Sequence, residues 1–374
     1  MIQTADAVVI GGGIQGCSTA LQLARLGMRV ILLEKDHVGR HASGVNAGGV
    51  RRLLRHEAEI PLSVAAMEMW HGIGALLGGR ETRFAVSGQV AVAETQAEWD
   101  GLRRRAARVS ELGFAHEALL DRDALYDVLP ALAPHCVGGL ICRMDGFASP
   151  YHTSIAFRDT AVAAGAIVLE GVAVRGIARH GTVWHVTTPA GEIHAKAVVN
   201  CAGAWAAGIA ARFGEPVPLE PIAPMMMVTA RLPPFVSPVV LGIGRKLSFK
   251  QASNGTVLIG GGHRGVPDME SGASSTDFRK LITSARTASA LFPIMSDAML
   301  VRAWSGIESR LPDDIPVIGP SSTEPGLFHA FGFSAHGFQL GPIIGVIMAE
   351  LVSAGATQHP IAPFAISRFT QVFY

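Results

Sequence analysis

The sequence has only four cysteines in 374 residues, and Asp, Glu, Lys and Arg together make up just 16% of it. Cys17, Cys136, Cys142 and Cys201 form no C-x-x-C pair and no spacing suited to zinc or an iron–sulfur cluster. Cys17 falls in a helical stretch and Cys201 in an apolar run, so buried free thiols in a reducing cytosol are expected, not disulfides. The histidines show no ligand spacing either, and no metal is expected. The formal net charge of +1 lacks the excess that would draw a nucleic-acid partner. Long hydrophobic runs are missing too: the most apolar late stretch, Pro342 to Ala354, is short for a bilayer and carries Glu350. Asp6 and a glycine-rich unit come at once, so no signal peptide is expected, and a cytoplasmic location follows. What the chain has in quantity is apolar side chains, 49% of residues. That content and length suffice for a sizeable core and two domains, with some apolar surface left over for subunit interfaces.

The N-terminus carries the most specific signal. A strand, Ala7-Val8-Val9-Ile10, runs into Gly11-Gly12-Gly13-Ile14-Gln15-Gly16, and a second apolar run, Val30 to Leu33, ends at Glu34. Gly11, Gly13 and Gly16 fit the G-x-G-x-x-G dinucleotide fingerprint, in which the glycines serve a tight turn, backbone approach to a pyrophosphate and helix–strand packing. The helix predicted over Ile14 to Leu26 aims its N-terminal N–H groups at the phosphates. Glu34 lies near the spacing of about 20 residues at which an acid holds a ribose diol, and an acid there favours FAD or NAD over NADP.

Beyond His37 comes a polar loop, His41 to Gly49, then Val50 to His56 and a helix predicted near Leu62 to Leu77. Residues 81–144 alternate short strands, such as Gln89 to Ala93, with charged helices, such as Gln96 to Leu112. A helix over Thr153 to Ala164 precedes strands at Ala166 to Leu169 and Val172 to Val174, a hairpin at Thr182 to Ile193, and a buried strand ending at Cys201-Ala202-Gly203-Ala204-Trp205. Residues 216–304 read as strands with one helix, and Gly260-Gly261-Gly262 as a strand end. There is no internal repeat and no low-complexity linker, so the chain is expected to cross between two interleaved domains.

Five motifs, GGGIQG, SGVNAGG, VVNCAGAW, PDDIPVIGP and GFSAHGFQLGPIIG, occur in the order found in the D-amino-acid oxidase-like family of FAD-dependent oxidoreductases. The chain resembles that family over nearly its whole length, particularly sarcosine oxidases and the catalytic β-subunits of sarcosine, proline, hydroxyproline and opine dehydrogenases. The resemblance implies an α/β plus α+β fold, a Rossmann-like FAD-binding domain (1–80, 145–215 and 305–374) interleaved with an antiparallel-sheet substrate domain (81–144 and 216–304). It implies cofactor contacts from Gly11, Gly13, Ile14, Gln15, Gly16, Glu34 and Lys35. Further contacts are implied from Ser43, Asn46, Ala47, Gly48 and Gly49, from Val174 beside the adenine, and from Ala202, Gly203 and Trp205 on the isoalloxazine side. Gly306, Gly332, His336, Gly337, Phe338 and Gln339 complete the set. A helix N-terminus at that last turn would stabilise the anion that grows on the flavin during reduction.

The reaction implied is hydride removal from the carbon beside an amine, giving an imine. Arg52-Leu53-Leu54-Arg55-His56 is similar to a run whose second arginine grips the substrate carboxylate, which assigns Arg55, with Arg52 beside it, to substrate binding. Lys246 resembles a lysine that lies over the flavin and assists oxygen reduction. Three departures stand out: Gln339 replaces a lysine that would be a second carboxylate partner, no cysteine is placed for covalent FAD, and Glu308 stands where many members have arginine. Glu308 is expected either in the pocket, taking an amine, hydroxyl or guanidinium, or in a salt bridge with Arg310 or Arg302. His336 is a further candidate for catalysis. His152 aligns loosely with a histidine that carries FMN at a subunit junction. The function expected is oxidation of a small amino or imino acid of proline or hydroxyproline type, particularly a D-isomer, or of sarcosine, inside an assembly whose partner subunit carries an electron-transfer cofactor. The alternatives are an opine oxidase subunit, a 2-hydroxy-acid dehydrogenase using His56 or His336 as base, and a non-catalytic flavin subunit.

Overall fold

The computed structural model describes residues 2–369; Met1 and residues 370–374, which fall within the terminal domain bounds expected from sequence, lie outside it. The strand β1 (Ile2–Ile10) and the helix α1 (Ile14–Arg25) join through the glycine turn to β2 (Val30–Leu33). β1 is the middle of a five-strand parallel core, with the order 327–331, 191–200, β1, β2, 167–169. Its apolar residues Ala7, Val8 and Val9 are fully shielded on both faces, as central parallel strands require. An antiparallel extension, strands 176–180 and 183–188, pairs with the first half of the long strand Gly191–Asn200.

Helix α1 is buried nearly all round because the C-terminal helix Gly337–Ala354 lies directly on it. Gly341 and Gly345 make that approach possible. A Cβ on Gly345 would stand 2.1 Å from Ser18 Oγ, and one on Gly341 2.7 Å from the Ile14 side chain. This helix starts earlier than the apolar run suggests and is, among the described residues, the one helix long and apolar enough to cross a bilayer; 67% of it is buried inside the protein, as in a core helix.

The second sheet is mainly antiparallel and has eleven strands. Its hub is the strand Glu220–Arg231, which pairs with strands 256–260 and 264–268 on one side and 300–305 and 308–310 on the other. This architecture is the expected α/β plus α+β class. Several local expectations need correction. Val172 to Val174 are outside any ladder, because the chain there crosses over the ends of the parallel strands. The Leu62–Leu77 helix is two helices, Ile60–His71 and Ile73–Leu76, broken at Gly72. Cross-strand pairing, invisible to spacing along the chain, also brings His185, Glu192 and His194 together.

One buried polar network ties the helical segment after Trp205 to the parallel core. Glu215 and His329 are completely shielded and 3.0 Å apart. Glu215 also accepts from the Ser321 and Ser322 hydroxyls and the Ser322 N–H, at 2.7, 2.8 and 2.6 Å. Burial alone would raise its pKa, but these bonds, His329 first, bring it down to about 2 from an ordinary 4.5. Because the folded value is depressed, the stability Glu215 contributes is complete above about pH 4.5 and is lost as pH falls toward 2. Glu215→Gln is expected to cost about 3 kcal/mol at neutral pH by breaking a buried charged network, and to flatten the acid limb of a urea-unfolding series across that window.

Candidate active site

The parallel strands end together, with Ile10 paired to Asn200 and Leu33. At those ends the Cys201 N–H donates to the Ile10 carbonyl and the Gly11 N–H to the Leu33 carbonyl. Nothing larger than glycine fits at the turn. Gly11 has φ +108°, and a Cβ on it would lie 2.3 Å from the Cys201 carbonyl oxygen; one on Gly16 would lie 1.9 Å from the Gly11 carbonyl oxygen. Side chains are thus excluded from the carboxyl ends of the strands, and an elongated cavity of about 840 Å³ opens there.

At one end of the cavity Glu34 receives N–H bonds from Gly12 (2.6 Å) and Asp36 (2.8 Å); burial nevertheless raises its pKa. Lys35 Nζ lies 3.4 Å over the Trp205 ring, which also packs against His41. The short helical turn Gly203–Trp205 swings Trp205 across Lys35, near Glu34. Val172, Ala173 and Val174 line the same region. At the centre, the Ile14 N–H at the start of α1 donates to Ser43 Oγ (3.0 Å). Ser43, Asn46 and Ala47 line the cavity, and their loop is pinned from the second sheet by Ala42 N–H to the Ile307 carbonyl and Trp304 Nε1–H to the Val45 carbonyl. Gly306 permits this, since a Cβ there would strike Val45 at 2.0 Å.

Of the expected cofactor residues, Gly11, Gly13, Gln15, Glu34, Lys35, Ser43, Asn46, Ala47, Gly49, Val174, Ala202, Gly203, Trp205, Gly306, Gly332, His336, Gly337 and Phe338 line the cavity. Ile14, Gly16, Gly48 and Gln339 do not. Ile14 and Gly16 pack α1 onto its neighbours, and Gly48 is pressed against the Ala148 carbonyl, which a Cβ would approach to 2.2 Å. A shaped groove with an acid at one end and a helix N-terminus at its centre suits an adenine dinucleotide such as FAD.

At the other end stands a buried charge cluster. Leu54 adopts φ +58°, a turn after which Arg55 points inward and is only 2% exposed. Arg55 Nε donates to the Arg51 carbonyl (3.0 Å), and Nη2 donates to the His336 carbonyl and Gln339 Oε1 (3.2 Å each). Its Nη1 is shielded and has no partner. Burial, then repulsion from Arg51, lowers the guanidinium to about 9, so it stays charged at neutral pH. Gln339 is fully buried behind Arg55, tied to Ser63 through both ends of its amide, so it braces Arg55 and offers nothing to a substrate. Arg52 is likewise not a cavity residue: it pairs with buried Asp145 at 3.1 Å. Arg51 lines the wall in its place.

His336 Nδ1 lies 3.0 Å from Oε2 of the fully buried Glu59. Burial brings His336 down to about 4, outweighing Glu59, so the ring is neutral at pH 7. Glu59 stays ionised below its ordinary value because His336, Arg55 and Arg51 outweigh its own burial. Ser334 and Ala335 both have positive φ (49° and 69°), and the Ala335 N–H turns toward Glu308 Oε1 at 2.8 Å. Glu308 lines the cavity and pairs with neither Arg302 nor Arg310; Arg310 is taken by Asp314 at 2.6 Å. Removal from water pushes the Glu308 carboxyl up to about 7, against the pull of the Ala335 N–H and Arg264.

Lys246 is exposed in the turn before strand Ser248–Gln251 and does not line the cavity, because the strand begins only after it. The buried lysine of that strand is Lys250, whose Nζ lies 4.2 Å over the Phe147 ring, behind Gly48. Burial lowers it to about 7. His152 sits outside the cavity at a helix start, 2.8 Å from Ser149 Oγ. His56 is exposed and its Nδ1 accepts from the Ala58 N–H, which leaves His336 as the cavity histidine of the two weighed as a base. The residues missed by sequence are Arg51, Glu59, Lys250 and Gln89. Gln89 lines the cavity with its amide nitrogen bound to Gly146 and Val50 and its Oε1 buried without a partner. Only the long spacing of polar residues in apolar runs hinted at Gln89 and Lys250.

Comparison with known proteins agrees with this geometry. The chain is 28% identical over 372 residues to glycine oxidase of Geobacillus kaustophilus, covering 97% of each. It is 26% identical to sarcosine oxidase subunit beta of Rhizobium meliloti, covering 98% of this chain and 89% of that one. The crystal structure of L-proline dehydrogenase from P. horikoshii superposes with a TM-score of 0.92 at 25% identity, covering 99% of both chains. The family model described as FAD dependent oxidoreductase matches residues 6–351. With the dinucleotide groove and these matches together, the chain belongs to the D-amino-acid oxidase-like family of FAD-dependent oxidoreductases and is an enzyme that uses FAD.

Proposed function

We propose that the enzyme oxidises the C–N bond of a small amino or imino acid, a secondary amine of the sarcosine or of the proline and hydroxyproline type. One observation carries this reading. A cation with a free N–H and a carboxyl that titrates near neutrality are tied to adjacent residues of one turn, Arg55 to the His336 carbonyl and Glu308 to the Ala335 N–H. Arg55 Nη1 takes the substrate carboxylate. Glu308 faces the nitrogen, accepts the proton of the ammonium and leaves the neutral amine that can give up hydride. FAD, when bound by the glycine turn, Glu34 and the Ser43 loop, would supply the hydride acceptor. Met225, Met226 and Leu241 form an apolar wall that keeps water from the reacting carbon, and the imine product leaves for hydrolysis.

The relatives' activities on glycine, sarcosine and L-proline support a small amino-acid substrate. Binding of FAD without a covalent bond is supported by the chemistry of Cys201, a cavity cysteine whose thiol burial pushes up to about 12. We further propose the domain division 1–80, 145–215 and 305–374 against 81–144 and 216–304. We also propose a partner subunit that takes the electrons, supported by the subunit relative and by the exposed apolar side chains Phe278 (75%), Met299 (71%) and Val301 (67%).

Anaerobic titration with sarcosine, both prolines, both hydroxyproline epimers, octopine, nopaline and lactate tests the reading. Bleaching of the flavin by one secondary amino acid is expected, and bleaching by lactate alone would overturn it. Readmitted air re-oxidises the flavin quickly in an oxidase and slowly if a partner subunit is the acceptor. Arg55→Lys loses the braced guanidinium that presents Nη1 and is expected to raise KM by about tenfold to a hundredfold, with flavin occupancy unchanged. In the wild type kcat/KM is expected to rise with pH through about 7 as Glu308 ionises. Glu308→Gln keeps the bond from Ala335 and abolishes that limb; an unchanged profile would remove Glu308 from the proton's path.

A further inference from the structure

Far along the antiparallel extension of the cofactor sheet, three ligating side chains converge on the face that points away from the core. His185 and His194 are directly opposed across the strand pair 183–188 and 191–200. Glu192, two residues before His194, shares their face. Glu192 Oε1 is 2.9 Å from His185 Nδ1, and its Oε2 is 3.3 Å from His194 Nε2. The two imidazole rings lie 3.9 Å apart at 39°, and the three ligating atoms all fall within 4.8 Å of one another. The reverse face of the same strands carries Trp184, Val186, Ile193 and Ala195, all buried in the core. The backbone holding the three groups is therefore fixed by packing and by sheet register.

We propose that His185, Glu192 and His194 form a binding site for a divalent transition ion, zinc in the first instance. Two imidazoles and one carboxylate suit a borderline ion and not magnesium or calcium, which prefer all-oxygen sets. Ligands around tetrahedral zinc stand about 3.3–3.6 Å apart, given bonds of about 2.0–2.2 Å; the His194 distance to Glu192 meets the lower end and the His185 distance is a few tenths of an ångström shorter. The observation that separates a metal site from a hydrogen-bonded surface cluster is His194 Nε2. It is shut off from water and, 3.3 Å from Glu192 Oε2, has no well-aimed hydrogen bond. A cluster that only shared protons would leave this nitrogen unsatisfied, whereas an ion between the three groups uses its lone pair. His180 stacks edge-on against His185 at 4.5 Å from the neighbouring strand and walls the site on one side. Three protein ligands leave a coordination position for water, and the ion clips the hairpin whose second strand continues into Cys201 and Gly203 at the cofactor cavity.

The test uses the FAD-loaded protein, stripped with a chelator and carrying no affinity tag. Calorimetric titration with zinc is expected to show one saturable ion per chain, and the thermal midpoint should climb with zinc concentration. Copper(II) in the wild type should give an EPR spectrum with superhyperfine splitting from two imidazole nitrogens. His185→Gln and Glu192→Gln should each weaken zinc binding about tenfold or more, while flavin absorbance and its reduction by substrate stay as in the wild type. No saturable zinc binding, a copper spectrum without nitrogen coupling, or undiminished binding in both variants would overturn the site.

Discussion

The contact on which the structure depends is between two backbones: the glycine turn after β1 and the carbonyl of Cys201. Both strands must end at the same level, side by side and parallel, with no Cβ between them, for the groove to exist at all. The register Ile10 to Asn200 sets that level, and Gly11 and Gly16 keep it open. Everything else that meets the cofactor groove hangs from this junction. Helix α1 starts there, the Ser43 hydroxyl caps it, and the C-terminal helix reaches the far end only because its glycines let it lie against α1.

The second organising fact is electrostatic. Arg51, Arg55, Glu59 and His336 are packed at one end of the cavity with little access to water, so each is adjusted by the others. Two guanidinium groups and one carboxylate leave that end net positive, with the histidine neutral. An unoccupied N–H on Arg55 is the outlet of that positive charge. Glu308 faces the same turn but stands apart from the cluster, and lacking a cation in contact it titrates at a pH where the others are fixed. The site thus combines a constant charge for anchoring with a variable one for proton transfer, a pairing suited to a substrate that carries both an acid and an amine.

How much of this the sequence discloses follows from distance along the chain. The dinucleotide unit is legible because strand, glycines, helix and acid all fall within the first 37 residues and constrain one another locally. Arg55 and Glu308 are legible through resemblance, and both line the cavity. Arg52 and Lys246 mislead for one reason: a motif names neighbours in sequence, and a turn at Leu54 or a strand start at Ser248 decides which neighbour faces inward. Glu59, Gln89 and Lys250 lie on elements whose inward face is set by partners hundreds of residues away or on another sheet. The histidine pair opposite Glu192 is similar, since only strand register brings it together.

The long-range pairing of β1 also bears on how the molecule is made. β1 and α1 leave the ribosome with β2 close behind them, but the other partners that bury them come late. β1 must wait for residues 191–200, and α1 for Gly337–Ala354. Until then β1 has only β2 beside it, and α1 lacks the C-terminal helix that covers it, so completion of the cofactor unit waits for the final helix. A nascent chain short of that helix leaves uncovered the apolar face of α1 that Gly341 and Gly345 approach.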